Sequence, residues 1–159
     1  MSTYTNGVFV ASGSATNHAN TNSLIYIGNN DAKNEPFSGD IAELLLYNLP
    51  HTATLRQQVE SYLAIKWGIT LSQVTPRSYV LNNGTSAGTI TAWDATTGGI
   101  YKNDIMGLAR SDNKSSGGYT LDQRKSKSQN PGTDILTIGT YSNIRLPANN
   151  RTIMVAHDG

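Results

Sequence analysis

The residues of this chain that could do chemistry are few and scattered. Asp40 and Glu43 are the one carboxylate pair at an apolar run, Ile41 to Tyr47, and paired carboxylates are what glycosidic cleavage uses. Residues three apart on a strand point to opposite faces, so these two do not flank one bond. The plainer reading has Asp40 closing a turn and Glu43 bonding backbone or a cation. His18, His51 and His157 form no i, i+4 pair, and with no cysteine present no zinc set can be assembled. Hard oxygen ligands are better represented. Asn29, Asn30 and Asp31 form one cluster and Asp112 with Asn113 another, and Asn29, Asp31 and Asp112 are the positions where calcium would be expected. Asn and Asp are also turn residues in their own right, which is the competing account of both clusters.

No Gly-x-Ser-x-Gly elbow occurs, and Gly84 to Gly88 lacks the Lys and the following helix of a phosphate loop, so no cofactor is required and a non-enzymatic chain is expected. Aromatic residues are the remaining handle on a ligand. Trp93 and Asp94 at a strand end, with Tyr101 and Asn103, combine the platform, carboxylate and amide that sugar sites use, although a Trp-Asp pair also closes strands for structural reasons. Arg124, Lys125 and Lys127 read as a solvated strand, with an anionic glycan or phosphate contact as the alternative.

Composition narrows the class. Twelve Lys plus Arg against eleven Asp plus Glu leave a net charge of +1, which argues against a nucleic-acid partner. No stretch approaches the ~20 apolar residues of a membrane span. With 18 Thr, 16 Asn, 15 Ser and 15 Gly, about two residues in five are short turn or exposed-sheet types, and a β-rich extracellular chain is expected. The N-terminus shows no basic segment followed by an apolar core, so an exported chain would take its signal from elsewhere.

These residues must be positioned by short elements. Val8 to Ala11, Leu24 to Ile27 and Ile41 to Tyr47 read as strands between Asn- and Gly-rich turns, the third apolar on both faces except at Glu43 and therefore expected to be covered on both sides. At 52–67 the period changes to that of an amphipathic helix. Thr54 and Gln57 suggest a capping box, Leu55, Val59, Tyr62, Leu63 and Trp67 form the apolar stripe, and Gly68 with Ile69 supplies the stop. Trp67 is expected in the core, and Arg56, Gln57, Glu60 and Ser61 in water. After Pro76 short strands return at Ser78 to Leu81, Thr89 to Trp93, Ile105 to Ala109, Ile135 to Ile138 and Ile153 to Ala156.

Two stretches carry a resemblance. Phe37-Ser-Gly-Asp-Ile-Ala-Glu-Leu-Leu-Leu-Tyr-Asn48, followed by Leu55-Arg-Gln-Gln-Val-Glu-Ser-Tyr-Leu-Ala-Ile-Lys-Trp-Gly-Ile-Thr-Leu71, resembles the end of a bacterial laminin-G-like, concanavalin-like jelly roll. In that family a last long strand of pattern F-x-G-x-I-A-E precedes a helix ending YLA-x-KYGI, and the likeness covers about residues 24–71. Ala92-Trp-Asp-Ala95, Tyr101 to Arg110, Leu121 to Ser128 and Asp134 to Gly139 resemble an uncharacterised β module that follows such jelly rolls in bacterial surface proteins. The resemblance implies a mainly β fold: a partial jelly roll or β-sandwich with one helix over 1–71, then a small antiparallel module over 72–159. It also implies an extracellular or cell-surface binding or adhesion module whose partners would be a glycan or a surface protein. The residues before the helix are too few for a whole sandwich, and an open sheet invites strand addition. A second copy of the chain is thus an alternative partner, with a role as accessory part of a carbohydrate-active hydrolase the third reading.

Overall fold

Asn6 and Gly7 sit at positive φ, 46° and 76°, as a type I′ turn requires, and join β1 (Ser2–Thr5) to β2 (Val8–Ser12) in an antiparallel hairpin. The computed structural model describes residues 2–13, 26–30, 32–72, 74–85, 88–112, 120–127, 137–140, 142 and 146–158. Leu24, Ile25 and Ile135 of the expected strands, and Asp31, Asn113 and His18 of the candidate ligands, lie outside the described residues.

Helix α1 (Ala53–Trp67) is capped at Thr52, two residues before the expected cap at Thr54. Thr52, extended at its own backbone, accepts from the Leu55 amide at 3.2 Å through Oγ1, which is the geometry of an N-cap. Gly68 closes the helix in the left-handed region at φ 67°, and the Ile69 amide reaches the Ala64 carbonyl at 2.9 Å. Val59 and Tyr62 of the expected stripe are buried, together with Ala64 and Ile65 beside them, whereas Leu55, Leu63 and Trp67 are only partly buried. Ser61 was expected in water and is fully buried instead. Its hydroxyl donates to the Gln57 carbonyl at 2.7 Å and accepts from the Val80 amide at 3.0 Å, while Gln57 donates to the Ser78 carbonyl at 3.0 Å. The reason is the strand beside it: β3 (Tyr79–Asn82) is fully buried and pairs only with β4 (Thr89–Trp93) among the described residues, so polar helix side chains satisfy its backbone.

The chain is mainly β. After the short helix α2 (Ala95–Gly98), β5 (Asn103–Ser111) forms the centre of an antiparallel three-stranded sheet between β6 (Leu121–Asp122) and β9 (Arg151–His157); β7 (Lys125–Lys127) pairs with β8 (Thr137–Gly139). One core joins Val59, Tyr62, Ala64 and Ile65 of α1 to Leu71, Tyr79, Leu81, Ile105, Ala109 and Leu121, so the helix packs with the strands that follow it. Fully buried side chains such as Ile65 and Leu81 contribute about 1.5–3 kcal/mol each relative to exposure. Polar ties sit inside that core. Gln123 donates to the Ile65 carbonyl at 2.8 Å and accepts from the Ala109 amide at 3.3 Å. The Tyr79 hydroxyl accepts from the Leu71 amide at 2.7 Å, and burial pushes its pKa up to about 12. Neither helix is long and apolar enough to cross a membrane.

Residues 41–47 depart from expectation. They were expected as a strand covered on both faces, yet among the described residues they form no strand pair and only the inner face has cover. Among the described residues, no backbone hydrogen bond links 38–46 to another segment. Leu45 packs against the core from α1, while Leu44 and Leu46 remain 49% and 66% exposed. An apolar run marks a strand that needs neighbours; it cannot supply them.

Candidate functional site

The ribbon of residues 40–47 alternates as extended backbone must. Glu43 and Leu45 turn inward, and Ala42, Leu44 and Leu46 turn out to solvent. Glu43 is the clamp. Its carboxylate accepts from the Tyr62 hydroxyl at 2.9 Å, the Lys66 ammonium at 3.1 Å and the Trp67 indole N–H at 2.8 Å, and Lys66 also donates to the Tyr62 hydroxyl at 2.7 Å. The ammonium lies 5.0 Å from the Tyr62 ring centre and 5.5 Å from that of Trp67. Burial by itself would raise the Glu43 carboxyl, but the Trp67, Lys66 and Tyr62 donors together outweigh it and hold the group below the usual carboxylate range. Burial likewise works against the Lys66 charge, and its bonds to Tyr62 and Glu43 reverse that and raise its pKa. Tyr47 ends the ribbon edge-on to His51, with ring centres 4.1 Å apart. Trp67, expected in the core, is only half-buried because its N–H serves Glu43. Asp40, at the other end, is exposed.

A loop at 26–37 leads into this ribbon, closed by the Phe37 amide on the Gly28 carbonyl at 2.8 Å. The expected calcium ligand Asn29 is occupied there. Its Oδ1 accepts from the amides of Asn30 at 2.9 Å and Glu35 at 3.1 Å, while Asn30 and Asn34 exchange two further bonds of 2.7 and 3.1 Å. A hollow of about 580 Å³ opens between Gly28, Asn29, Asn30, Glu35, Phe37 and Ile41. Asp112, the other expected ligand, is held by Arg110 at 2.7 and 3.0 Å and by the Asn149 side chain, which accepts from its amide at 2.7 Å. Asn29 and Asp112 thus belong to separate networks, and no group of three His, Asp or Glu gathers among the described residues.

Of the four residues expected to bind a ligand, the structure brings two together. Trp93 meets Tyr79 edge-on at 6.0 Å and lies under Gly98, where a Cβ would come within 2.3 Å of the indole. Asp94 caps α2, its Oδ1 accepting from the amides of Thr97 at 2.8 Å and Thr96 at 2.9 Å, and these bonds, Thr97 first, lower its pKa. Both line an open groove of about 460 Å³ with Thr91, Thr97, Thr152 and Met154, between β4 and β9. Tyr101 and Asn103 do not line it. Tyr101 is exposed and donates its amide to the Gly98 carbonyl at 2.9 Å, and Asn103 opens β5 opposite His157. His157 itself meets Asp104 at 2.7 Å. Arg124 faces Asp122 at 3.7 Å, and Lys125 and Lys127 lie in β7.

Sequence reasoning missed Tyr62 and Lys66 as partners of Glu43. The available signal is a helix that places a hydroxyl and an ammonium at i, i+4, next to an indole, opposite the lone carboxylate of an apolar run. Among known families, a model described as Domain of unknown function (DUF8202) matches residues 55–159, from the first turn of α1 onward. No curated protein and no solved structure matches the chain.

Proposed function

The chain belongs to the family Domain of unknown function (DUF8202), and we propose that it is a non-catalytic interaction module of an extracellular bacterial protein, which offers its ribbon at 40–47 to another β-structure. One observation carries this reading: the ribbon is extended and apolar on its outer face, and residues 40–46 make no backbone hydrogen bond to another described segment, yet it is clamped to the helix through Glu43. Unpaired strand groups recruit another strand, and a segment already held straight loses less freedom on pairing. Phe37, Ile41, Leu44, Leu46 and Leu49 are all about half exposed or more. Of these, Leu44 and Leu46 stand on the outward face of the ribbon, where neighbouring exposed apolar side chains mark an interaction surface. The Thr-, Asn- and Ser-rich composition and the resemblance of 24–71 to jelly-roll ends support the extracellular setting.

The test uses a fluorescein-labelled strand peptide, Gln-Thr-Val-Thr-Val-Thr-Val, and amide exchange. Peptide binding is expected to protect the amides of 40–46, and Leu44→Asp with Leu46→Asp is expected to abolish both binding and protection. Amides already protected in the isolated monomer, or binding indifferent to the two substitutions, would overturn the reading. Where the natural partner is a second copy, light scattering will show concentration-dependent association that the same substitutions remove. A second reading, glycan recognition, rests on the groove in which Trp93 and Asp94 stand with three threonine side chains; saccharide binding weakened by Thr97→Val and Asp94→Asn would favour it.

A further inference from the structure

Resting on that reading of the ribbon, we propose that the partner strand carries an arginine whose guanidinium enters the hollow between Phe37 and Glu35. The hollow is continuous with the ribbon, since Ile41 is one of its walls. Phe37 is 58% exposed, and its ring lies over Gly39, where a Cβ would come within 2.9 Å of it and where φ is 153°. Glu35 is another wall of the hollow, and its carboxylate takes no hydrogen bond or ion pair from any described residue; neither does that of Asp40 at the ribbon's start. Lys33, the one cation of the loop, is not a wall of the hollow. An exposed ring and an unneutralised carboxylate on the walls of one hollow are complementary to a planar cation. Guanidinium stacks on the ring and pairs with the carboxylate at once, which an ammonium cannot match. A saccharide fits less well, because Asn29 Oδ1 and Asn30 Oδ1 are already engaged by the loop's own amides. Those bonds also hold the loop in shape before any partner arrives.

Anisotropy titrations would compare the Gln-Thr-Val-Thr-Val-Thr-Val peptide with versions bearing arginine at the first or the last position. One arginine peptide is expected to bind about five-fold tighter or more than the glutamine peptide. The advantage should vanish in Glu35→Gln, fall in Phe37→Leu and shrink at about 0.5 M salt, where the Debye length is only a few ångströms. Both side chains are exposed, so unchanged melting temperatures will certify that the variants fold. Equal binding of all three peptides, still lost with Leu44→Asp and Leu46→Asp, would overturn the arginine and leave the ribbon reading standing. Saturation transfer from the Phe37 ring to methyl β-glucopyranoside, with the peptides equal, would assign the hollow to a saccharide and overturn the proposal. Failure of every peptide to bind, with the ribbon substitutions silent, would remove both.

Discussion

Replacing Glu43 by Ala removes the acceptor for three donors at once, and the size of the loss can be worked out. The Trp67 and Tyr62 bonds, at 2.8 and 2.9 Å, are worth about 1 kcal/mol each in net terms. The Lys66 side chain is 35% exposed, which discounts the ion pair to a few tenths of a kcal/mol. The expected loss is therefore about 2 kcal/mol, or roughly 4–8 °C in Tm for a chain of this length. Glu43→Gln keeps one acceptor oxygen and should lose about half as much. The pH dependence adds a second readout. The folded-state carboxyl lies below its ordinary value of 4.5, so its contribution is fully present above that pH and disappears as pH falls through the lowered folded value. Thermal and urea unfolding of the wild type should show this acid limb, and Glu43→Gln should flatten it. Proteolysis at 38–49 will report local release of the ribbon, which limits how far the global Tm can fall. A Glu43→Gln protein that melts within about 1 °C of wild type, with its acid limb and ribbon protection unchanged, would refute the clamp.

Four further outcomes are expected. Gln123→Ala leaves the buried Ile65 carbonyl and Ala109 amide without their partner and should cost about 2–4 kcal/mol in urea unfolding. Gly107→Ala would place a Cβ 2.2 Å from the Ile153 carbonyl oxygen, inside the β5–β9 ladder, and should cost about 3 kcal/mol or prevent folding, read as lost near-UV circular dichroism. Glu60→Gln should behave unlike Glu43→Gln. Burial raises the Glu60 carboxyl against the pull of Arg56 and Arg77 at 3.4 and 3.6 Å, and its Oε2 is buried without a hydrogen bond, so the charge weighs on stability as pH rises through the raised value. The glutamine variant should stay within about 0.5 kcal/mol of wild type at neutral pH and lose that fall in stability on the alkaline side of the titration. Calcium added to chelator-treated protein should move Tm by less than about 1 °C, because Asn29 and Asp112 already spend their oxygens on the chain's own groups; a large rise would place a site there.

Much of the local structure could be read directly. The 3.6-residue period from Leu55 to Trp67, ended by Gly68, and the β-branched runs at 89–93 and 151–157 specify their elements through near-neighbour sterics and hydrogen bonds. The hairpin at Asn6-Gly7 was not read, because Ser2 to Thr5 are too polar to register as a strand by hydrophobicity. Pairing over long separations was not legible. Ser61 and Gln57 look solvent-facing on a helical wheel, and they are drawn inward only because β3, about twenty residues later, brings an edge of unsatisfied backbone against them. Asp94 and Asn29 carry the chemistry of ligand sites, but in each case the nearest amides are those of their own turn. Residue type and spacing thus determined which segments would be helix, turn or extended chain, since those choices are made over a few residues. Which extended segment found a neighbour, and whether Glu43 met a substrate or a helix, was decided by packing, because a backbone group or a carboxylate is satisfied by whatever the fold places within 3 Å of it.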